Sequence, residues 1–122
     1  MLASKPINGF APTKDSKAAR SFYESVLGLK FLSENPYVLV MKANDTRIIL
    51  QKVDQFVPAP YTILGWEVDD IEEVVSFLTN RGVVFERFAG MEQDALGIWK
   101  SPEGKVAWFK DPDGNVLSVS QH

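Results

Sequence analysis

A chain of 122 residues is one domain's worth of polymer, long enough to bury a core of its own. Its 13 Lys and Arg against 16 Asp and Glu leave a net charge of -3 with no run of like charge, which argues against a nucleic-acid or membrane partner. The lack of cysteine excludes disulfides, thiolate metal ligands and a cysteine nucleophile; the N-terminal "MLASKPINGF" lacks the apolar stretch of a signal peptide, so a cytoplasmic location is expected.

In chain order, a short strand is predicted at about 7 to 13. Residues 15 to 27, "DSKAARSFYESVL", then read as an amphipathic helix. Asp15 caps it, Ala19, Phe22, Tyr23 and Val26 recur at spacings of three and four, and Gly28 stops it. Strands are predicted at 29 to 33, 37 to 42 and 47 to 53. "FVPAPY", stiffened by Pro58 and Pro60, is a connection. The pattern then restarts with a strand at 62 to 68 and a helix at 70 to 81, where Asp70 is the cap, Ile71, Val74, Val75 and Leu78 the stripe, and Gly82 the stop. Further strands are predicted at 83 to 88, about 95 to 99, 105 to 110 and 116 to 120.

The two halves match. A shift of 55 sets Asp15 on Asp70, Ala19 on Val74, Phe22 on Phe77 and Tyr23 on Leu78; after the helix a shift of 54 sets Gly28 on Gly82, Leu29 on Val83 and Phe31 on Phe85. This predicts an α+β fold, a single domain over 1-122 built from two tandem βαβββ modules at about 5-54 and about 61-120. The surplus at 89 to 104, "AGMEQDALGIWKSPEG", reads as an inserted loop with one extra short strand.

Three segments, "SFYESVLGLKF" at 21 to 31, "WEVDDIEEVVSFLTNRGVVFE" at 66 to 86 and "WFKDPDGNVLSV" at 108 to 119, resemble recurring stretches of the vicinal oxygen chelate superfamily. That superfamily includes glyoxalase I, extradiol dioxygenases and bleomycin resistance proteins. The resemblance implies mostly antiparallel sheets curled around a central cavity, often completed by a homodimer. It also implies four metal-ligand positions. Carried over by position, these fall on Asn8, on Ile63, on Ser118 and near Ile49, or on Gln51 if the register slips by two.

No imidazole or carboxylate stands at any of them, whereas such metal sites need His with one or two carboxylates. A symmetric homodimer would add only the same residues again. The one histidine, His122, is terminal, where fraying is the default. No cofactor or metal is therefore expected.

What remains is a cavity lining, assigned by strand parity. Asn8 and Phe10 should point inward from the first strand, with Ile7, Gly9 and Ala11 under the helix; Ile63, Gly65 and Glu67 should point inward from its counterpart, with Leu64, Trp66 and Val68 in the core. Arg47, Gln51 and Ser118 are candidate polar contacts, with Ser120 at the rim, and Trp99 and Trp108 candidate aromatic walls. The resulting expectation is a metal-independent protein that binds a small, partly aromatic ligand and forms a homodimer. The alternative is a lyase, isomerase or dioxygenase of the same superfamily using non-standard ligands, or Glu67 as a base.

Overall fold

In the computed structural model, which describes every residue from Met1 to His122, both helices begin at the expected caps. The Asp15 carboxylate accepts from the Ala18 N–H and the Asp70 carboxylate from the Glu73 N–H, both at 3.1 Å, satisfying donors that a first helical turn leaves unpaired. Gly28 and Gly82, at φ of +80° and +94°, turn the chain out of each helix in the left-handed conformation that glycine adopts without a Cβ penalty. The chain divides into two compact units, Met1–Val57 and Pro58–His122. No helix in either is long and apolar enough to cross a membrane.

The first unit contains β1 (Asn8–Thr13), α1 (Ser16–Arg20), β2 (Lys30–Glu34), β3 (Val38–Ala43) and β4 (Thr46–Lys52). Its sheet runs β1-β4-β3-β2, with β1 parallel to β4 and the other pairs antiparallel. Ala11, Thr13, Leu39, Met41, Ile48 and Leu50 are buried on one face, and Ala19 and Tyr23 are the buried residues of the helical segment. Ile7 departs from expectation. It precedes β1 and is 77% exposed, so it has no place under the helix.

The first helix is not α-helical throughout. From Ser21 to Val26 it is wound as a π-helix, in which the Leu27 N–H donates to the Phe22 carbonyl at 3.0 Å. A π turn takes up one more residue than an α turn. The change of internal offset from 55 to 54 gives this helix one residue more than its counterpart, and the wider winding absorbs it.

The second unit repeats the topology with β5 (Thr62–Glu67), α2 (Ile71–Asn80), β6 (Trp99–Ser101), β7 (Gly104–Lys110) and β8 (Val116–Gln121), in the order β5-β8-β7-β6. Here β5 is parallel to β8, and α2 contacts β7 and β8. Ile71, Val75 and Leu78 from α2, and Ala107, Phe109, Leu117 and Val119 from the sheet, are all buried.

Two predicted strands of this unit need correction. Residues 83 to 88 do alternate, with Val83 and Phe85 buried and Val84 exposed, yet they form no ladder. The Glu86 N–H donates to the Trp108 carbonyl at 2.8 Å, after which one side chain replaces a strand. The Gln93 amide accepts from the Phe88 N–H at 2.8 Å and donates to the Glu86 and Gly97 carbonyls at 2.8 and 2.9 Å. The strand expected at 95 to 99 begins only at Trp99. The Asp94 carboxylate accepts from the Leu96 and Ile98 N–H groups, both at 2.9 Å, and so holds that stretch in a turn.

Candidate functional site

Each sheet has one face buried and one face left open within its own unit. In β8, Leu117 and Val119 are buried, while Ser118 and Ser120 point to the other side. Residues in register share a face. Ser118 is level with Gly65 and Trp108, Ser120 with Glu67 and Val106, and Val106 with Trp99. The structure thus brings Glu67, Trp99, Trp108 and Ser118 onto one surface, along with Gly65 and Ser120. A Cβ at position 65 would lie 2.7 Å from the Ser118 Oγ, so glycine is what lets that hydroxyl occupy the space.

The aromatic rings on this face touch. Trp99 and Trp108 have centroids 6.2 Å apart at 34°, and Phe88 meets Trp108 edge-on at 5.4 Å and 86°. Beside them Pro60, Tyr61, Thr62, Glu86, Phe88, Trp108, Lys110 and Val116 line a cleft of ≈ 240 Å³. Lys110 Nζ lies 3.5 Å from Glu86 Oε1 there. Elsewhere on the face, Glu67 Oε1 lies 2.6 Å from His122 Nδ1, both side chains well exposed. His122 is thereby paired instead of frayed. The two form an exposed carboxylate–imidazole contact.

Ile63 does not join this surface by register. Thr62 pairs with Val116 and Leu64 with Leu117, so Ile63 is bulged out of the ladder and half-buried. In the first unit, Asn8 is level with Arg47, Phe10 with Ile49 and Pro12 with Gln51, all alternating with the buried Ala11, Ile48 and Leu50. Asn8, Phe10, Arg47 and Gln51 therefore share that sheet's open face, where Phe10 is 51% exposed.

These donors do not fit a transition-metal ion. An amide at Asn8, a hydroxyl at Ser118, a hydrocarbon at Ile63, and a hydrocarbon or amide at Ile49 or Gln51 provide neither imidazole nor carboxylate. No group of three His, Cys, Asp or Glu elsewhere is arranged to hold a metal.

Sequence reasoning missed Tyr61, Glu86, Phe88, Lys110 and the pairing of His122. Tyr61 lies in the bend just before β5, Lys110 ends β7, and Glu86 and Phe88 sit in the segment mistaken for a strand. Their convergence depends on the single bond from Glu86 to Trp108 and on the Gln93 clamp, neither of which leaves a periodic signal.

No curated protein sequence matches the chain. Among solved structures it is 29% identical to TnmS3, an antibiotic binding protein from Streptomyces sp. CB03234, with a TM-score of 0.74 over 99% of this chain and 98% of that one. A glyoxalase/bleomycin resistance protein from the same strain is 27% identical, with a TM-score of 0.70 over 96% of this chain and 100% of that one. A lactoylglutathione lyase from Agrobacterium tumefaciens has a TM-score of 0.75 over 97% of this chain and 93% of that one; at 18% identity it shows a common fold alone. The family model for the glyoxalase/bleomycin resistance protein/dioxygenase superfamily matches residues 7–119. With a repeated strand, helix, three-strand topology and this match across both units, the chain belongs to that superfamily.

Proposed function

We propose that this protein is a metal-independent binder of a small, partly aromatic molecule, acting as a homodimer. The observation that carries the reading is the donor set. Positions that would present metal ligands hold Asn8, Ile63, Ser118 and Ile49 or Gln51, while Trp99, Trp108 and Phe88 gather on an open sheet face. The proposed contacts in the second unit are Glu67, Trp99, Trp108 and Ser118, with the bulged Ile63 a further candidate; Asn8, Phe10, Arg47 and Gln51 are the candidate contacts on the open face of the first unit's own sheet. Similarity to an antibiotic binding protein supports this reading. Burying some 200 Å² of apolar ligand surface contributes about 5 kcal/mol before association costs, enough for weak to micromolar affinity once polar contacts are added.

The expected result is quenching of tryptophan fluorescence by members of a panel of aromatic compounds, with affinities unchanged by a chelator. Affinity that disappears with the chelator and returns with a divalent metal would refute the reading. A second reading, an enzyme with Glu67 as base, is favoured by the 2.6 Å contact with His122. It requires turnover that Glu67→Gln abolishes.

A further inference from the structure

We infer that the cleft between Tyr61, Phe88 and Trp108 is a recognition site for a flat one- or two-ring heteroaromatic with an N–H donor next to a C=O acceptor on one edge. The inference rests on the binding reading above and deepens it by naming the site and the ligand chemistry. The cleft lies wholly within the second unit, at the end of the open sheet face, with which it shares Trp108 and Phe88.

Size sets the first limit. At ≈ 240 Å³ the cleft is smaller than the roughly 300 to 1,000 Å³ of drug-sized sites, so it takes one or two fused rings or one end of a larger molecule. Its walls favour a flat ring, since Trp108 and Phe88 are braced edge to face and Tyr61 is 67% exposed beside Pro60. Both sides are held in place. The bond from the Glu86 N–H to the Trp108 carbonyl joins one wall to β7, and the Gln93 amide fixes the Phe88 backbone. Pro58, which leads into Pro60 and Tyr61, packs against Gly114. There a Cβ would come within 3.3 Å of the proline ring.

Charge sets the second limit. Lys110 Nζ and Glu86 Oε1, at 3.5 Å, are farther apart than the roughly 2.7 to 2.9 Å of a close charge-assisted bond. The ammonium has three donors and the carboxylate several acceptor sites, so both retain capacity. A purely anionic ligand would meet Glu86, and a purely cationic one would meet Lys110. An edge with a donor for Glu86 and an acceptor for Lys110 satisfies both, and a lactam, –NH–C(=O)–, has that edge.

The test is an NMR titration of the full-length protein with three probes of nearly equal shape: 2-quinolinone, N-methyl-2-quinolinone, which lacks the donor, and naphthalene, which lacks both groups. The expected result is that 2-quinolinone shifts the Trp108 indole N–H with the Tyr61 and Phe88 signals. N-methylation should weaken binding about tenfold, as should Lys110→Met and Glu86→Gln in the protein. Equal affinity for 2-quinolinone and its N-methyl derivative, or shifts confined to Glu67, Ser118 and Ser120, would overturn the cleft while leaving the binding reading intact. Absence of any shift with all three probes would overturn the cleft as well; the fluorescence panel then decides separately whether the protein binds aromatics at all.

Discussion

Gly65 and Ser118 meet on the open face of the second sheet, and the absence of one side chain makes room for the other. Gly65→Ala would drive a methyl group to 2.7 Å from the Ser118 Oγ, a contact real Cβ atoms essentially never show. We expect it to cost about 1 to 3 kcal/mol in denaturant unfolding, as overpacking does. Most of that loss should return in the Gly65→Ala/Ser118→Ala double variant, because the clash is with the hydroxyl; additive losses would show that the backbone, not the Oγ, objects. In the first unit the Lys52 ammonium, 2.7 Å from Glu34, donates to that carboxylate and holds its pKa below the ordinary 4.5. A depressed carboxylate pKa contributes stability that is complete above 4.5 and lost as pH falls through the folded-state value. Lys52→Met should therefore reduce the loss of stability as pH falls below 4.5. The change should be small, because both side chains keep part of their surface in water, which screens the pair. An unchanged acid limb would mean that the ion pair does not persist in solution.

Among the elements, the segment from 83 to 98 is where local pattern and structure part. Val83, Val84 and Phe85 alternate as a strand should, because they bury one side and expose the other, but alternation reports burial and not pairing. What decides against a ladder is a side chain seven residues away from Glu86, a relationship with no period in sequence. Gln93→Leu removes three hydrogen bonds at once and should destabilise the protein by about 1 to 3 kcal/mol. Amide exchange should accelerate at Phe88 while Val119 in the sheet stays protected. Uniform acceleration across both would assign Gln93 a global role instead of a local one. The helices, by contrast, were legible to the residue at their starts, since a cap is a local hydrogen bond between neighbours. The open-face residues of both sheets followed from parity, except where the bulge at Ile63 broke it. Tyr61, Phe88 and Lys110 became visible only once β7 and the preceding loop were in place.

At the scale of the whole molecule, membership in a superfamily that includes metal enzymes coexists with a donor set unable to hold a transition ion, and that contrast is what makes a binding role the stronger reading. Two units with the same topology each present an open sheet face, and only the second gathers several aromatic rings there. The most direct measurement is native mass spectrometry of the protein purified from its own host, which reports subunit number, metal and retained small molecules together. A binding protein should appear as a dimer without stoichiometric transition metal and with an organic molecule retained on part of the population. About one Ni, Zn, Fe or Mn per chain, removed by a chelator together with all binding or activity, would contradict it.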